Sequence, residues 1–470
     1  VAIEAASHRF VGFGGRMKTC ILLLNALLLG VVDLPRADDL GGVVVRLEGY
    51  EGPATVSARL VGQFKVQLLV NPATETEPLV VRVDLPETGS RAWPAADVEV
   101  RDAQGKALLV RRAGIEWSKL LIQVPAVAGT YYVQAVSRLE AAEPLPSENE
   151  RWLVDDVSGF HLGITTWYDG RKAALSLRFD DSHPTHLTKA IPILREYGFR
   201  GTFMVNPGQP EPGRRWRSDF QEHWAEWAAV AQQGDQELAN HTAHHRGAVG
   251  DEDMENEIAE AAQTIWRLTP GKSQLLALNL GGGTYWETTR TLRYYLEKYH
   301  LFDASSGSLG MDDVYGNRVE AFREHLERHL ERGLWCRVHF HAIGQSPGTS
   351  ETTFRAALDI AREHRSQLWI AGMADIYKYQ TERNASRLKL RRSSPDELSF
   401  ELVCQTDATL FDQPLTIAVT HPSSLSADRV RVRDAQGREV PLRTGLVEGV
   451  STLLFDVAPR DGLYSIEKKP

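Results

Sequence analysis

The stretch "LSLRFDDSHPTHL" (175–187) ends an apolar, alternating run on two adjacent aspartates, Asp180 and Asp181. Neighbouring carboxylates repel, and without a cation one of them is forced toward its protonated form. If one binds a divalent ion, the other can stay ionised beside it and accept a proton. A second polar cluster, "ELANHTAHHRG" (237–247), also follows a short apolar run. His241 and His245 are four residues apart, so on one helical turn their imidazoles would share a face. His244, three residues from His241, could geometrically substitute. One carboxylate with two neutral imidazoles makes a tetrahedral site that keeps a position for water, as zinc hydrolases require. A third cluster, "LWCRVHFHAIG" (334–344), supplies His339 and His341. Taken alone, that pair is as compatible with a structural role as with catalysis.

These residues need elements that carry them to one place. The runs "AALSLRF", "GTFMVN", "LLALNL", "LWCRVHF" and "QLWIAG" read as strands. They alternate with helical patterns such as "HLTKAIPILREYGF" (186–199) and "DEDMENEIAEAAQTIWRL" (251–268). In the latter, Met254, Ile258, Ala261, Ile265 and Leu268 recur at spacings of three and four, and Asp251 is available as N-cap. Strand–helix alternation predicts a parallel α/β barrel or doubly wound sheet, whose chemistry sits at the carboxyl ends of the strands. Asp180 and Asp181 occupy such an end.

An internal repeat brackets this region. "VEVRDAQGK" (98–106) recurs as "VRVRDAQGR" (430–438), "EPLVVRVDLP" (77–86) as "QPLTIAVTHP" (413–422), and "AGTYYV" (128–133) as "DGLYSI" (461–466). Both copies alternate apolar and polar residues, with "DAQG" as a hairpin turn. The expected organisation is therefore a β-sandwich over 41–150, a barrel over 151–385 and a related β-sandwich over 386–470. The first methionine, Met17, opens "MKTCILLLNALLLGVVDLPRADD", which reads as a signal peptide within an upstream segment 1–40. Its apolar stretch is short of the roughly 20 residues needed to span a bilayer, so export without an integral span after cleavage is expected.

Composition bounds the partners. The 470 residues carry 42% apolar and 24% charged residues with a formal charge of −9. Without a long basic run, neither nucleic acid nor an anionic membrane is the expected main partner. The three cysteines do not make a disulfide scaffold, and without a CxxC no thiolate zinc site is expected.

The order of "LSLRFDD", "GDQELANHTAHH" and "LWCRVHFHAIG", with "PILREYGFRGTFMVNPG" after the first, resembles the polysaccharide deacetylase family, carbohydrate esterase family four, over roughly residues 160–380. The resemblance implies a distorted parallel (β/α) barrel and metal-dependent removal of acetyl groups, N- or O-linked, from an acetylated polysaccharide or oligosaccharide. It implies that Asp181, His241 and His245 hold a divalent metal, zinc foremost. Asp180 would be the general base and His341 the general acid, with His339 as runner-up.

Two motifs depart from that pattern. The family's third motif carries an arginine that pairs with the base, then prolines and an aromatic. "LALNLGGGTYW" (276–286) has neither arginine nor proline. Side chains alternate along a strand, so Arg178 faces the same way as Asp180 and could replace that arginine. Gly282, Gly283 and Tyr285 could approach substrate there, the glycines by exposing backbone. For the fourth motif the nearest stretch is "FDASSGSLG" (302–310). His183 and His186 are expected to be solvated or capping, and Trp216, Trp224 and Trp227 to stack on sugars or lie in the core. Two other readings stay open: a catalytically impaired carbohydrate-binding surface protein, or a related hydrolase of a non-acetyl amide or ester.

Overall fold

The computed structural model describes residues 40–48, 54–72, 78–136, 145–210, 218–421, 426–447 and 449–469. The expected leader lies outside them except for Leu40, as does Trp216. No helix among the described residues is long and apolar enough to cross a membrane.

The centre of the molecule is a parallel sheet of eight strands. Its order runs Leu301–Asp303, Leu276–Leu278, Glu237–Asn240, Gly201–Val205, Ala173–Phe179, Trp335–Phe340, Leu309–Gly310, and Leu368–Ile370 also pairs with Ala173–Phe179. All seven residues of Ala173–Phe179 are buried, as befits a central strand covered on both faces. Its odd positions, Leu175, Leu177 and Phe179, enter the main core with the surrounding helices. Phe179 stacks between Phe203 and Phe340, at centroid distances of 4.7 and 5.2 Å. Its even positions, Ser176, Arg178 and Asp180, therefore face the other side, that of the candidate site residues. Helix Asp251–Leu268 buries the five apolar residues expected of it. Gly250 is its N-cap, and Asp251 instead accepts hydrogen bonds from the backbone N–H groups of Thr289 and Arg290.

Each repeat copy folds as two sheets sharing one apolar core. In the first copy, Val44–Leu47, Leu79–Asp84, Glu116–Val124 and Val110–Ala113 line up in one sheet. Thr55–Gly62, Lys65–Asn71, Gly129–Ala135 and Val98–Asp102 form the other. In the second copy the same order is built by His161–Ile164, Leu415–Thr420, Val450–Val457 and Arg443–Val447, facing Ser386–Ser394, Glu397–Cys404, Gly462–Lys468 and Val430–Asp434. The repeated "DAQG" turns match atom for atom. Asp102 Oδ1 accepts from the N–H groups of Gln104 and Lys106, and Asp434 Oδ1 from those of Gln436 and Arg438.

The copies differ from the sequence-based boundaries in one respect. Strand His161–Ile164 pairs antiparallel with Leu415–Thr420 of the second copy. The whole central sheet is thus inserted between that copy's first and second strands, where the first copy has only a short connection between Val44–Leu47 and Thr55–Gly62. Periodicity along one chain could not reveal this, because pairing partners lie so far apart. The first copy also extends beyond its own strands: Val110–Ala113 pairs with Tyr285–Thr288 from the central domain.

Candidate active site

Asp180 and Asp181 leave the tip of Ala173–Phe179, where Asp180 N–H bonds to Phe340 O at 2.9 Å. Asp181 and Ser182 then take φ of 76° and 54°, a left-handed bend that is costly for non-glycine residues. Ser182 Oγ secures the bend by accepting from Asn206 N–H at 2.8 Å. The result sends the two carboxylates into different surroundings. Asp180 is buried, and its Oδ2 accepts from Arg178 Nη2 at 2.9 Å and Asn279 Nδ2 at 3.2 Å. Burial opposes its ionisation, but the Arg178 guanidinium and neighbouring histidines hold its pKa below the usual value. Asp180 Oδ1 has no hydrogen-bond partner among the described residues. An ionised carboxylate with one anchored and one free oxygen is equipped to take a proton.

Asp181 meets the histidine cluster. Its Oδ1 lies 3.1 Å from His241 Nε2 and 3.6 Å from His245 Nε2. Asp181, His241 and His245 place ligand atoms within 4.8 Å of one another. His241 Nδ1 donates to the Asn279 carbonyl at 2.8 Å, and that oxygen can only accept. The bond to Asn279 fixes the ring so that Nε2 faces the Asp181 carboxylate. A carboxylate oxygen and two imidazole nitrogens converging in this way could hold a divalent cation, and the donor set suits zinc. Burial, with His241 nearby, pushes the His245 pKa down and favours the neutral, ligating ring.

The two histidines do not share a helical turn. Strand Glu237–Asn240 ends just before them, and Thr242 and His245 adopt φ of 67° and 51° in a tight loop. Asn240 Oδ1 accepts from Thr242 N–H at 2.8 Å and Thr242 Oγ1 from His245 N–H at 3.1 Å, folding the loop so that the rings meet at 4.7 Å. His244 points elsewhere, with Nδ1 2.7 Å from Glu257 Oε1 and Nε2 3.1 Å from Gln209 O.

His341 follows strand Trp335–Phe340 and brings Nε2 to 3.8 Å from Asp181 Oδ2. Its Nδ1 is bonded to Asp312 Oδ2 at 2.6 Å. Burial would lower its pKa, but the Asp312 hydrogen bond and the charges of Asp180 and Asp181 push it up to about 9. It thus stands protonated at neutral pH. His339 does the opposite: burial and Arg178 press its pKa down to about 4, and Nδ1 pairs with Ser308 Oγ at 2.8 Å.

Asp312 and Asn279 were missed from sequence. The acid partner of His341 lies just beyond the stretch "FDASSGSLG", and Asn279 lies within the motif that lacks arginine. The loop Asn279–Thr284 reaches the site differently from expectation. An added Cβ on Gly282 or Gly283 would meet nothing within 4 Å, so these glycines edge open solvent. Gly281, at φ 83°, is the one pressed against the His245 ring. Tyr285 stands half-exposed with the Arg111 guanidinium 4.2 Å above its ring, turned toward the first repeat copy. His186, expected at the surface or a cap, is buried and bonds the His341 carbonyl at 3.0 Å. Trp227 is core, stacked on Phe220, while Trp224 is partly exposed.

Residues 168–299, within the central domain, match the model of the polysaccharide deacetylase family. A gellan lyase from Bacillus sp. is 23% identical over 349 residues, covering 64% of this chain. The chain spans only 13% of that relative's length. Among solved structures, a family 4 carbohydrate esterase from Streptomyces lividans shares 19% identity over 43% of this chain and 94% of its own, with a TM-score of 0.32. A family 4 pseudoenzyme from Bacillus anthracis shares 15% over 44% of this chain and 66% of its own, with a TM-score of 0.31.

Proposed function

We propose that the chain is an exported, metal-dependent hydrolase that removes N- or O-linked acetyl groups from an acetylated polysaccharide or oligosaccharide. One observation carries the reading: a carboxylate–imidazole–imidazole donor set lies between an arginine-held free carboxylate and an aspartate-held imidazolium. Asp181, His241 and His245 would hold the ion, zinc by the character of the donors. When bound, such an ion supplies Lewis acidity that polarises a carbonyl and makes water easier to deprotonate.

The chain's own groups divide the remaining work. Asp180 takes the proton of the attacking water through its free Oδ1, while Arg178 and Asn279 fix its other oxygen. Arg178 thus fills the part of the missing third-motif arginine. Attack forms the C–O bond and a tetrahedral oxyanion. Its collapse breaks the bond to the sugar nitrogen or oxygen, which takes a proton from His341 Nε2. Asp312 holds the opposite ring nitrogen and so keeps Nε2 aimed at the cleft. We read the flanking sheet pairs as β-sandwiches with structural or carbohydrate-binding roles.

Acetate release from chitin oligomers, peptidoglycan and acetylated plant polysaccharides, with and without chelator, tests the reading. Activity should vanish with chelator and return with Zn2+. Asp180→Asn should lower kcat by about 10²–10⁴-fold, the usual worth of a general base. Arg178→Ala should lower kcat more than it raises KM. Full turnover in Arg178→Ala would remove that residue from the mechanism. Sugar binding without acetate release from any substrate would point instead to the impaired binding protein.

A further inference from the structure

A second group of metal-type ligands lies away from the strand tips. His325 and His329 are four apart on helix Arg318–Arg332, and Cys336 is the second residue of the next strand, Trp335–Phe340. Their ligand atoms lie within 4.8 Å of one another. Unlike His241 and His245, these two histidines do share a helical face, with ring centroids 4.2 Å apart. His329 Nδ1 donates to the His325 carbonyl at 2.6 Å, leaving Nε2 as its ligating atom. His325 Nε2 is buried and has no hydrogen-bond partner among the described residues. Cys336 is a free, fully buried cysteine.

A buried imidazole nitrogen without a partner, a second imidazole with its own proton tied to a carbonyl, and a buried thiol converge here. We propose that His325, His329 and Cys336 form a second metal site, taking a thiophilic ion of the zinc type. Binding would form a sulfur–metal bond as the thiol proton leaves to solvent, with the two neutral imidazoles as nitrogen donors.

The site is separate from the catalytic one. Cys336 precedes His341 by five residues, about 17 Å along an extended strand. Its side chain also enters the helix-side core rather than the face of Arg178 and His339. An ion there would clip the last turns of helix Arg318–Arg332 to the strand that delivers His341. Its role is structural, since Gly333 ends the helix and the strand begins directly after it.

Cobalt(II) separates the two sites, because a sulfur-to-cobalt charge-transfer band can come only from the thiolate. In full-length protein carrying Cys20→Ser and Cys404→Ser, Co2+ should give that band and bind at two ions per chain. Cys336→Ser should abolish the band and leave one ion, with acetate release unchanged. His329→Ala, at a half-buried helix position, should weaken the second site by at least roughly the 10–100-fold seen for lesser perturbations of metal ligation. No charge-transfer band at saturating Co2+, or a band that persists in Cys336→Ser, would overturn the assignment.

Discussion

The two repeat copies share a strand order and a turn, yet they serve the central domain in opposite ways. The first is complete in itself and reaches outward: its edge strand Val110–Ala113 continues its sheet onto Tyr285–Thr288, directly after the loop that carries Asn279 and Gly281. Gly114, at the end of that edge, donates to Thr284 O at 3.0 Å, and any side chain there would strike Gly281 O and Thr284 Oγ1. The second copy is interrupted and encloses: its first and second strands emerge from the two ends of the central domain. Its ties run to the outside of that domain, as with Arg443 bonded to both Asp169 and Asp456. One fold pattern thus acts as a clamp on a loop of the candidate site in one position and as a host in the other.

The contrast predicts that damage to the host costs stability and damage to the clamp costs catalysis. The largest effect should come from the host. Ile417→Ala, in the strand that pairs with His161–Ile164, should lose about 2–5 kcal/mol of unfolding free energy with kcat per folded molecule unchanged. Denaturant titration and acetate release measure the two quantities, and a parallel fall in kcat would erase the distinction. Next in size, Gly114→Val should displace the Asn279–Thr284 loop and lower kcat about 100-fold, the cost of misplacing a catalytic group by about 1 Å. Its melting temperature should move little by comparison. Wild-type turnover in Gly114→Val would show that the first copy merely leans on the loop.

The smallest effect concerns the seam between host and central domain. Glu382, on helix Met373–Asn384, accepts from Gln413 N–H at 2.9 Å, and its other oxygen is buried without a partner among the described residues. Burial raises its pKa from 4.5 to about 8. A carboxyl group whose pKa rises on folding stabilises fully below its unfolded value, and that contribution is lost as pH climbs through the folded one. Wild type should therefore lose stability between about pH 4.5 and 8, a loss that Glu382→Gln removes. Melting curves of the two proteins should diverge across that window and run parallel above it.

Much of the site was legible where strand geometry alone sets direction. Alternation along one strand placed Arg178 and Asp180 on the same side, and adjacency at its end marked Asp181. What eluded the sequence depends on loops. An H-x-x-x-H spacing suits a helix, and only the left-handed residues Thr242 and His245 turn it into a loop with the same outcome. Asp312 lies 29 residues before its partner His341, in a connection whose path no periodicity describes. The helical pair His325 and His329 obeys the spacing rule, but its third member, Cys336, lies on the following strand, and the lack of a CxxC argues against any thiolate site.

The insertion of one domain within another also orders events during synthesis. Strand His161–Ile164 leaves the ribosome long before Leu415–Thr420, its partner, is made. Contacts so distant in sequence are slow to form, and the intervening domain must reach a compact state before they can. An unpaired strand edge waits through that interval, exposed to association with other chains. Compaction of the intervening central domain is thus what brings the first strand of its host to the second copy's later strands.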